Sequence, residues 1–175
     1  MTIHITIHSP QGGSGKTMLA TAIAVRGFGY RSYDPLNLVE GQEKSGVLVI
    51  DTPPHWEAFS EAAVTTADLL ILPLSSIADY LEKDMGVRIT QIMKARAGRK
   101  TLVVQTHACP SVVKLVEELS SLPGVTVFPD VITYEEVEAG SPVIQKLLLA
   151  VLAQIQPVPE ITSKAFGNAS SGVEI

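Results

Sequence analysis

The sequence predicts an α/β domain, a mainly parallel central sheet with helices on both faces in three layers. Three observations predict it. Continuous apolar runs, Val47-Leu48-Val49-Ile50 and Leu69 to Leu74, have the composition of strands buried on both faces. Segments of helical composition separate such runs, so strands and helices alternate along the chain. A glycine-rich stretch, Ser9 to Thr17, joins the first strand to the first helix. In parallel sheets ligands sit beyond the carboxyl ends of the strands, and three chemical groups fall there: the glycine stretch, Asp34 and Asp51.

In chain order, Ile3, Ile5 and Ile7 alternate with His4, Thr6 and His8, which predicts a first strand with the two histidines on its other side or near the surface. Lys16 to Arg26 is rich in small and apolar residues and predicts a helix stopped by Gly27 and Gly29. Tyr30 to Tyr33 reads as a short strand ending at Asp34-Pro35, and Asn37 to Ser45 as a polar loop. Val47 to Ile50 is a buried strand ending at Asp51 and broken by Thr52-Pro53-Pro54. His55 to Thr66 predicts a helix with Trp56, Phe59, Ala62 and Ala63 on its apolar side. Leu69 to Leu74 is a strand, Asp79 to Ala97 a helix and Thr101 to Thr106 a strand. Val112 to Leu119 is a helix, Val125 to Phe128 a last short strand, and Ser141 to Ile155 an apolar closing helix. Residues 1–156 thus form one domain, and 157–175, rich in Pro, Ser and Gly, read as a flexible tail.

With 175 residues the chain is long enough for one real core. Its formal net charge of −5 gives no global pull toward nucleic acid or an anionic membrane. The single cysteine, Cys109, forms no internal disulfide and no Cys-rich zinc site, which fits a reducing cytoplasm. Met1 to Pro10 has neither a basic start nor a long apolar run, unlike a secretory signal. The apolar run at Leu69 to Leu74 is far too short to span a bilayer, so no membrane partner is expected.

Gln11-Gly12-Gly13-Ser14-Gly15-Lys16-Thr17 is where the chemistry concentrates. Three glycines within four residues let backbone N–H groups turn inward, and the next helix adds the positive end of its dipole. Lys16 brings a mobile ammonium and Thr17 a hydroxyl suited to Mg²⁺, a combination that suits a nucleotide triphosphate tail. The ordinary Walker pattern begins with glycine, where this chain has Pro10, so the loop is a variant. Asp51, fixed by the apolar strand behind it, is placed to hold a water of a Mg²⁺ shell; the plainer reading is an aspartate that starts a turn. Asp34 is placed to orient or deprotonate the water that attacks a terminal phosphate, or else initiates an Asp-Pro turn.

The glycine loop, Asp34-Pro35, and Val47 to Pro54 ("VLVIDTPP") resemble the three nucleotide motifs of the ParA/MinD family of deviant Walker ATPases. Ala67 to Pro73 with Asp79-Tyr80, and Ile132 to Val143 with Gly140-Ser141-Pro142-Val143, resemble later segments of small plasmid-partition members. The resemblance runs in order from about Ile3 to Ile155. It implies a P-loop NTPase domain and a Mg-ATPase that dimerises on ATP, binds DNA non-specifically as that dimer, and is stimulated by a centromere-binding adaptor protein in partition. By position it implies that Gln11, Gly12, Gly13, Ser14, Gly15, Lys16, Thr17 and Met18 surround ATP or ADP. Thr17 and Asp51 would serve the metal, and Lys16 and Asp34 would serve catalysis. Two departures stand out: the family's signature lysine aligns with Gln11, and the first aspartate of its Asp-x-Asp-Pro motif with Ser32. A neutral donor bonds phosphate about half as strongly as a charged one, so a catalytically weak interaction module is the alternative reading. A related P-loop synthetase or kinase is a third, for which the sequence offers no substrate cluster. The nitrogenase iron-protein type is excluded because it needs two cluster cysteines per subunit.

Arg88, Lys94, Arg96, Arg99 and Lys100 form a basic stretch without an acid, a candidate DNA contact; the plainer reading is a solvated helix face. Glu135, Glu136 and Glu138 oppose the DNA reading, since partition relatives often carry arginine in that region. Gln105, at a strand end, is a candidate reader of the adenine edge or simply a strand-end polar residue. Trp56 and Tyr80 read as packing residues and Cys109 as incidental.

Overall fold

Five strands, β1 (Ile3–Ile7), β2 (Val47–Asp51), β3 (Leu69–Leu74), β4 (Thr101–Gln105) and β5 (Val125–Val131), form one parallel sheet in the order β2-β1-β3-β4-β5. The structure is a computed structural model that describes residues 2–30, 46–75, 84–107 and 109–156. The helices are α1 (Lys16–Thr21), continued by a π-helical stretch (Ala22–Gly27), then α2 (Ala58–Thr66), α3 (Asp84–Arg96), α4 (Pro110–Ser120), α5 (Tyr134–Ala139) and α6 (Pro142–Ile155). Ser32, Asp34-Pro35, Asp79-Tyr80, the expected loop from Asn37 to Ser45 and the tail 157–175 lie outside the described residues.

The alternation of side chains across each strand builds the three layers. Ile5, Ile7, Leu69, Ile71, Leu102 and Val104 point to one face, where they pack with Leu19 and Ile23 of the first helix and Ile144, Leu147 and Val151 of α6. Leu70, Leu72, Leu74 and Val103 point to the other, against Val64 of α2, Ile89 and Ile92 of α3, and Val112, Val116 and Leu119 of α4. All six residues of β3, five aliphatics and Pro73, are buried, as suits a strand covered on both faces. The α/β, parallel-sheet expectation therefore holds.

Chain order and spatial order diverge at β1. It pairs with β2 in the register Ile7↔Asp51 and with β3 in the register Ile7↔Ile71. The chain leaves β1 toward one edge and returns to the opposite side of it, so the loop after β1 sits where the order reverses. That reversal opens a crevice beyond the strand ends.

Several boundaries differ from expectation. The first helix has the expected length, but its last turns are π-helical, where Gly27 meets the Leu148 side chain and Arg26 donates to the Glu138 carbonyl at 3.1 Å. The second helix starts at Ala58, not His55; the Pro53-Pro54 pair holds the chain extended and Glu57 occupies the N-cap. Its buried residues are Ser60, Ala63 and Val64, whereas Phe59 is 55% exposed. Tyr30 is buried, and its hydroxyl donates to the Val47 carbonyl of β2; the rest of the strand expected from Tyr30 to Tyr33 lies outside the described residues. β5 runs on through Pro129, which has no N–H to give and sits on an edge strand where the register to β4 shifts, between Val103↔Val127 and Gln105↔Val131. Helix α5 has no counterpart among the sequence expectations, although its capping box is written there: the Thr133 side chain accepts from the Glu136 N–H, and Glu136 accepts from the Thr133 N–H.

Candidate functional site

At the β1 end of the crevice the glycines do what other residues seldom can. Gly13 and Gly15 have φ of 69° and 82°, in the left-handed region. A Cβ on Gly15 would stand 3.2 Å from both Met18 Cε and Thr106 Cγ2. The chain can therefore wrap closely at the start of α1, where Gly15 is the N-cap and its carbonyl accepts the first helical bond, from Leu19 N–H. Beyond it opens a cavity of about 460 Å³ lined by Gly13 to Met18, Ser75, Thr106, His107, Ile132 and Tyr134.

The loop is held by short polar contacts. The Ser14 hydroxyl donates to the Gln11 carbonyl at 3.1 Å, and Lys16 Nζ donates to the same carbonyl at 3.0 Å. From β4, the Thr106 hydroxyl donates toward the Ser14 carbonyl at 3.0 Å and the Leu74 carbonyl at 3.2 Å, which ties the loop to the neighbouring strand end. The Thr17 hydroxyl donates to Asp51 Oδ2 at 2.5 Å. The register that places Asp51 opposite Ile7 brings these two residues together across a separation of 34 positions.

Burial sets the charges here. The Lys16 ammonium is pushed below its usual range by desolvation, partly offset by the Asp51 carboxylate. The Asp51 carboxyl is pushed up by desolvation, offset by the Thr17 hydroxyl and by Lys16. Each group is thus short of water, with the other as its nearby opposite charge, and a bound ion or polyanion would meet both.

Hard oxygen donors fit Mg²⁺, and the Thr17–Asp51 pair supplies two. Among the described residues there is no group of three or more His, Cys, Asp or Glu side chains that could cage a metal. Mg²⁺ needs no such cage, since it takes one or two protein oxygens together with waters and substrate phosphates.

His8 lies on the other side of the sheet from Ile5 and Ile7, the first of the two places expected for it, and not near the surface. It is fully buried, and its ring meets Trp56 edge-on at 5.5 Å and 67°. The Thr52 hydroxyl donates its one proton to the Ile7 carbonyl at 3.0 Å, so it accepts from His8 Nδ1–H at 2.7 Å. The imidazole proton therefore sits on Nδ1, and Nε2 carries a lone pair that has no partner among the described residues. Burial, with Lys16 nearby, lowers the imidazole pKa to about 4, so the ring is neutral at pH 7. The Thr52 bond links the end of β1 to the segment after β2. Trp56 is in contact with this link because the helix starts late, a placement the periodicity of His55 to Thr66 did not signal.

The remaining candidates divide. The Gln11 side-chain oxygen is buried without a donor partner, so this residue folds inward rather than projecting from the loop. Gln105 gives its carbonyl to Ile132 N–H at 2.8 Å and is not among the cavity-lining residues; its neighbours Thr106 and His107 are. Asp34 lies outside the described residues. Tyr134, unmarked by the sequence, enters the cavity from the start of α5, with its hydroxyl donating to Glu138 at 3.1 Å.

The basic stretch is at the opposite end of the sheet, and its members do different work. Arg96 is 1% exposed; its Nη1 donates to the Val64 and Ala67 carbonyls at 2.8 and 2.7 Å, and its Nη2 to the Lys100 carbonyl at 2.6 Å. It is withdrawn from any surface contact with DNA, because the last carbonyls of α2 lack helical donors and the guanidinium fork supplies them. Arg99 donates to the Thr65 carbonyl at 2.6 Å and Lys100 to the Gln154 carbonyl at 2.5 Å. Arg88 and Lys94 are exposed on α3. No helix among the described residues is long and apolar enough to cross a membrane.

No family model matches this chain, and no curated protein matches it.

Proposed function

We propose that this protein binds Mg-ATP and acts as a nucleotide-dependent dimerisation switch of the ParA/MinD kind, with weak hydrolysis, in plasmid or chromosome partition. The observation that carries the reading is the Thr17–Asp51 contact at 2.5 Å beside a glycine-built phosphate loop in the crevice where the strand order reverses. In this reading the N–H groups of the loop bind the phosphates, and Lys16 exchanges the Gln11 carbonyl for the β- and γ-phosphates. Thr17 would give its hydroxyl oxygen to Mg²⁺ and Asp51 would hold a water of its shell. The metal, when bound, neutralises charge on the phosphate oxygens. Tyr134, Ile132 and Met18 border the part of the cavity left for the nucleoside. Asp34 is the proposed orienting group for the attacking water.

Gln11 favours a second reading, an interaction module that binds nucleotide but turns it over barely or not at all. Its side chain brings no positive charge and its oxygen is buried in its own subunit. The adaptor protein and DNA remain proposed partners of either form, with Arg88 and Lys94 as the freer surface cations.

The deciding experiment measures Mg-ATP binding, steady-state hydrolysis and size in ADP and in a non-hydrolysable ATP analogue, for the wild type and Lys16→Ala. Micromolar binding that weakens about 100-fold in the variant supports the nucleotide reading. An ATP-dependent dimer with turnover selects the switch, and binding without either selects the module. Absence of binding at millimolar Mg-ATP overturns both.

A further inference from the structure

We propose that the cleft between α3 and α4, at the end of the sheet away from the phosphate loop, is a second ligand site that takes a small amphipathic carboxylate, an aliphatic body with one anionic head. The cleft measures about 570 Å³, within the range of roughly 300–1,000 Å³ typical of small-molecule sites. It is larger than the cavity at the glycine loop. It lies where α3, which packs on α2, and α4, which leans on β5, diverge beyond the buried start of β4 at Thr101.

Its walls select an apolar body. Ile89 and Met93 come from α3, Leu115 and Leu119 from α4, and Leu122 and Val125 close the base. Its polar groups select an anion. Lys94 and Arg99 line the cleft, against the single acid Glu118, while the Arg96 guanidinium behind them is committed to carbonyls. The one ion pair among the described residues is Lys146–Asp130, so neither Lys94 nor Arg99 has a carboxylate partner there. An apolar chain with a carboxylate head answers the walls and the cations together. A polyanion such as a nucleic-acid backbone answers only the cations and would leave the aliphatic trough exposed. The site shares no residue with the glycine loop, so it stands whether or not the nucleotide reading does.

The test titrates the full chain with decanoate, decanol and decyltrimethylammonium, below their aggregation thresholds, and maps amide shifts by NMR. Decanoate is expected to bind below about 1 mM, with about tenfold preference over the cationic analogue and shifts centred on the residues that line the cleft. Two exposed-surface variants sharpen the result. Lys94→Glu with Arg99→Glu is expected to weaken decanoate about tenfold, and Thr90→Trp, which fills the mouth from α3, to weaken all three ligands; thermal melts confirm that both variants fold. Equal binding of the cationic and anionic chains overturns the proposal. So does decanoate affinity unchanged in either folded variant, or shifts confined to the glycine loop, or no binding.

Discussion

The two ends of the sheet each carry a buried cation, and they use it in opposite ways. At the carboxyl ends of the strands, Lys16 is 8% exposed and makes one hydrogen bond, to a carbonyl of its own loop. At the amino ends, Arg96 is 1% exposed and donates to three carbonyls from two different segments. Burial depresses both pKa values, that of Arg96 to about 10. The number and origin of the acceptors separates the roles. A single local acceptor can be exchanged for a ligand oxygen, so the ammonium stays available. Three carbonyls contributed by α2 and the turn before β4 fix the guanidinium as a structural clamp. A buried cation therefore marks a site only when its partners are few and replaceable.

The largest expected effect tests the clamp. Arg96→Met should strand the Val64, Ala67 and Lys100 carbonyls and lower stability by roughly 3–5 kcal/mol, whereas Lys16→Ala should change it by under about 1 kcal/mol. Urea unfolding followed by the fluorescence of Trp56, the sole tryptophan, measures both; equal losses would break the contrast. Next comes His8, whose folded pKa of about 4 lies below its ordinary 6.5. Between these values the unfolded chain binds a proton that the folded chain refuses, so stability falls as pH drops from about 6.5 to 4. The loss attributable to His8 is roughly 3 kcal/mol. The difference between the wild-type and His8→Gln pH–stability curves isolates it from the opposite trend of Asp51, whose raised pKa makes the folded chain bind its proton more readily.

A smaller effect sharpens the ligand end. Mg-ATP at about 100 times its Kd should stabilise the wild type by about 2.7 kcal/mol. That gain should fall to about 0.4 kcal/mol in Lys16→Ala, whose binding is about 100-fold weaker, and shrink in Asp51→Asn, as read by thermal melts with and without nucleotide. The smallest expected effect is at the rim: Arg99→Ala, at an exposed side chain with one carbonyl acceptor, should cost about 0.5 kcal/mol or less. A cost like that of Arg96 would show that the rim, too, is part of the clamp.

Much of this could be read from local sequence. β3 was legible to the residue because five aliphatic positions in six, interrupted only by Pro73, stand between turn signals and admit few structures. The loop was legible because Gly13 and Gly15 occupy left-handed backbone conformations that side-chain-bearing residues seldom adopt. Arg96 was misread as a surface charge because its neighbours Lys94, Arg99 and Lys100 are basic, and nothing local announces that the ends of α2 and α3 meet. Phe59 was misread as core because α2 docks through a narrow stripe of Ser60, Ala63 and Val64 that its weak apolar pattern does not single out. His8 was legible as a residue of the other side of the sheet or of the surface, and its full burial was not, because strand alternation assigns a face but not what covers that face.

By itself, the sequence determined the class of fold, the order of most elements and the glycine loop with its lysine and threonine. Those features depend on side-chain periodicity and on backbone conformations that favour glycine, which act over a few residues. Only the tertiary structure decided that Thr17 meets Asp51, that Thr106 braces the loop, that His8 keeps its proton on Nδ1 beside Trp56, and that Arg96 faces inward. These depend on strand order and register, which bring together positions far apart in the chain, and on burial, which sets the charge and the partners of each group once they meet.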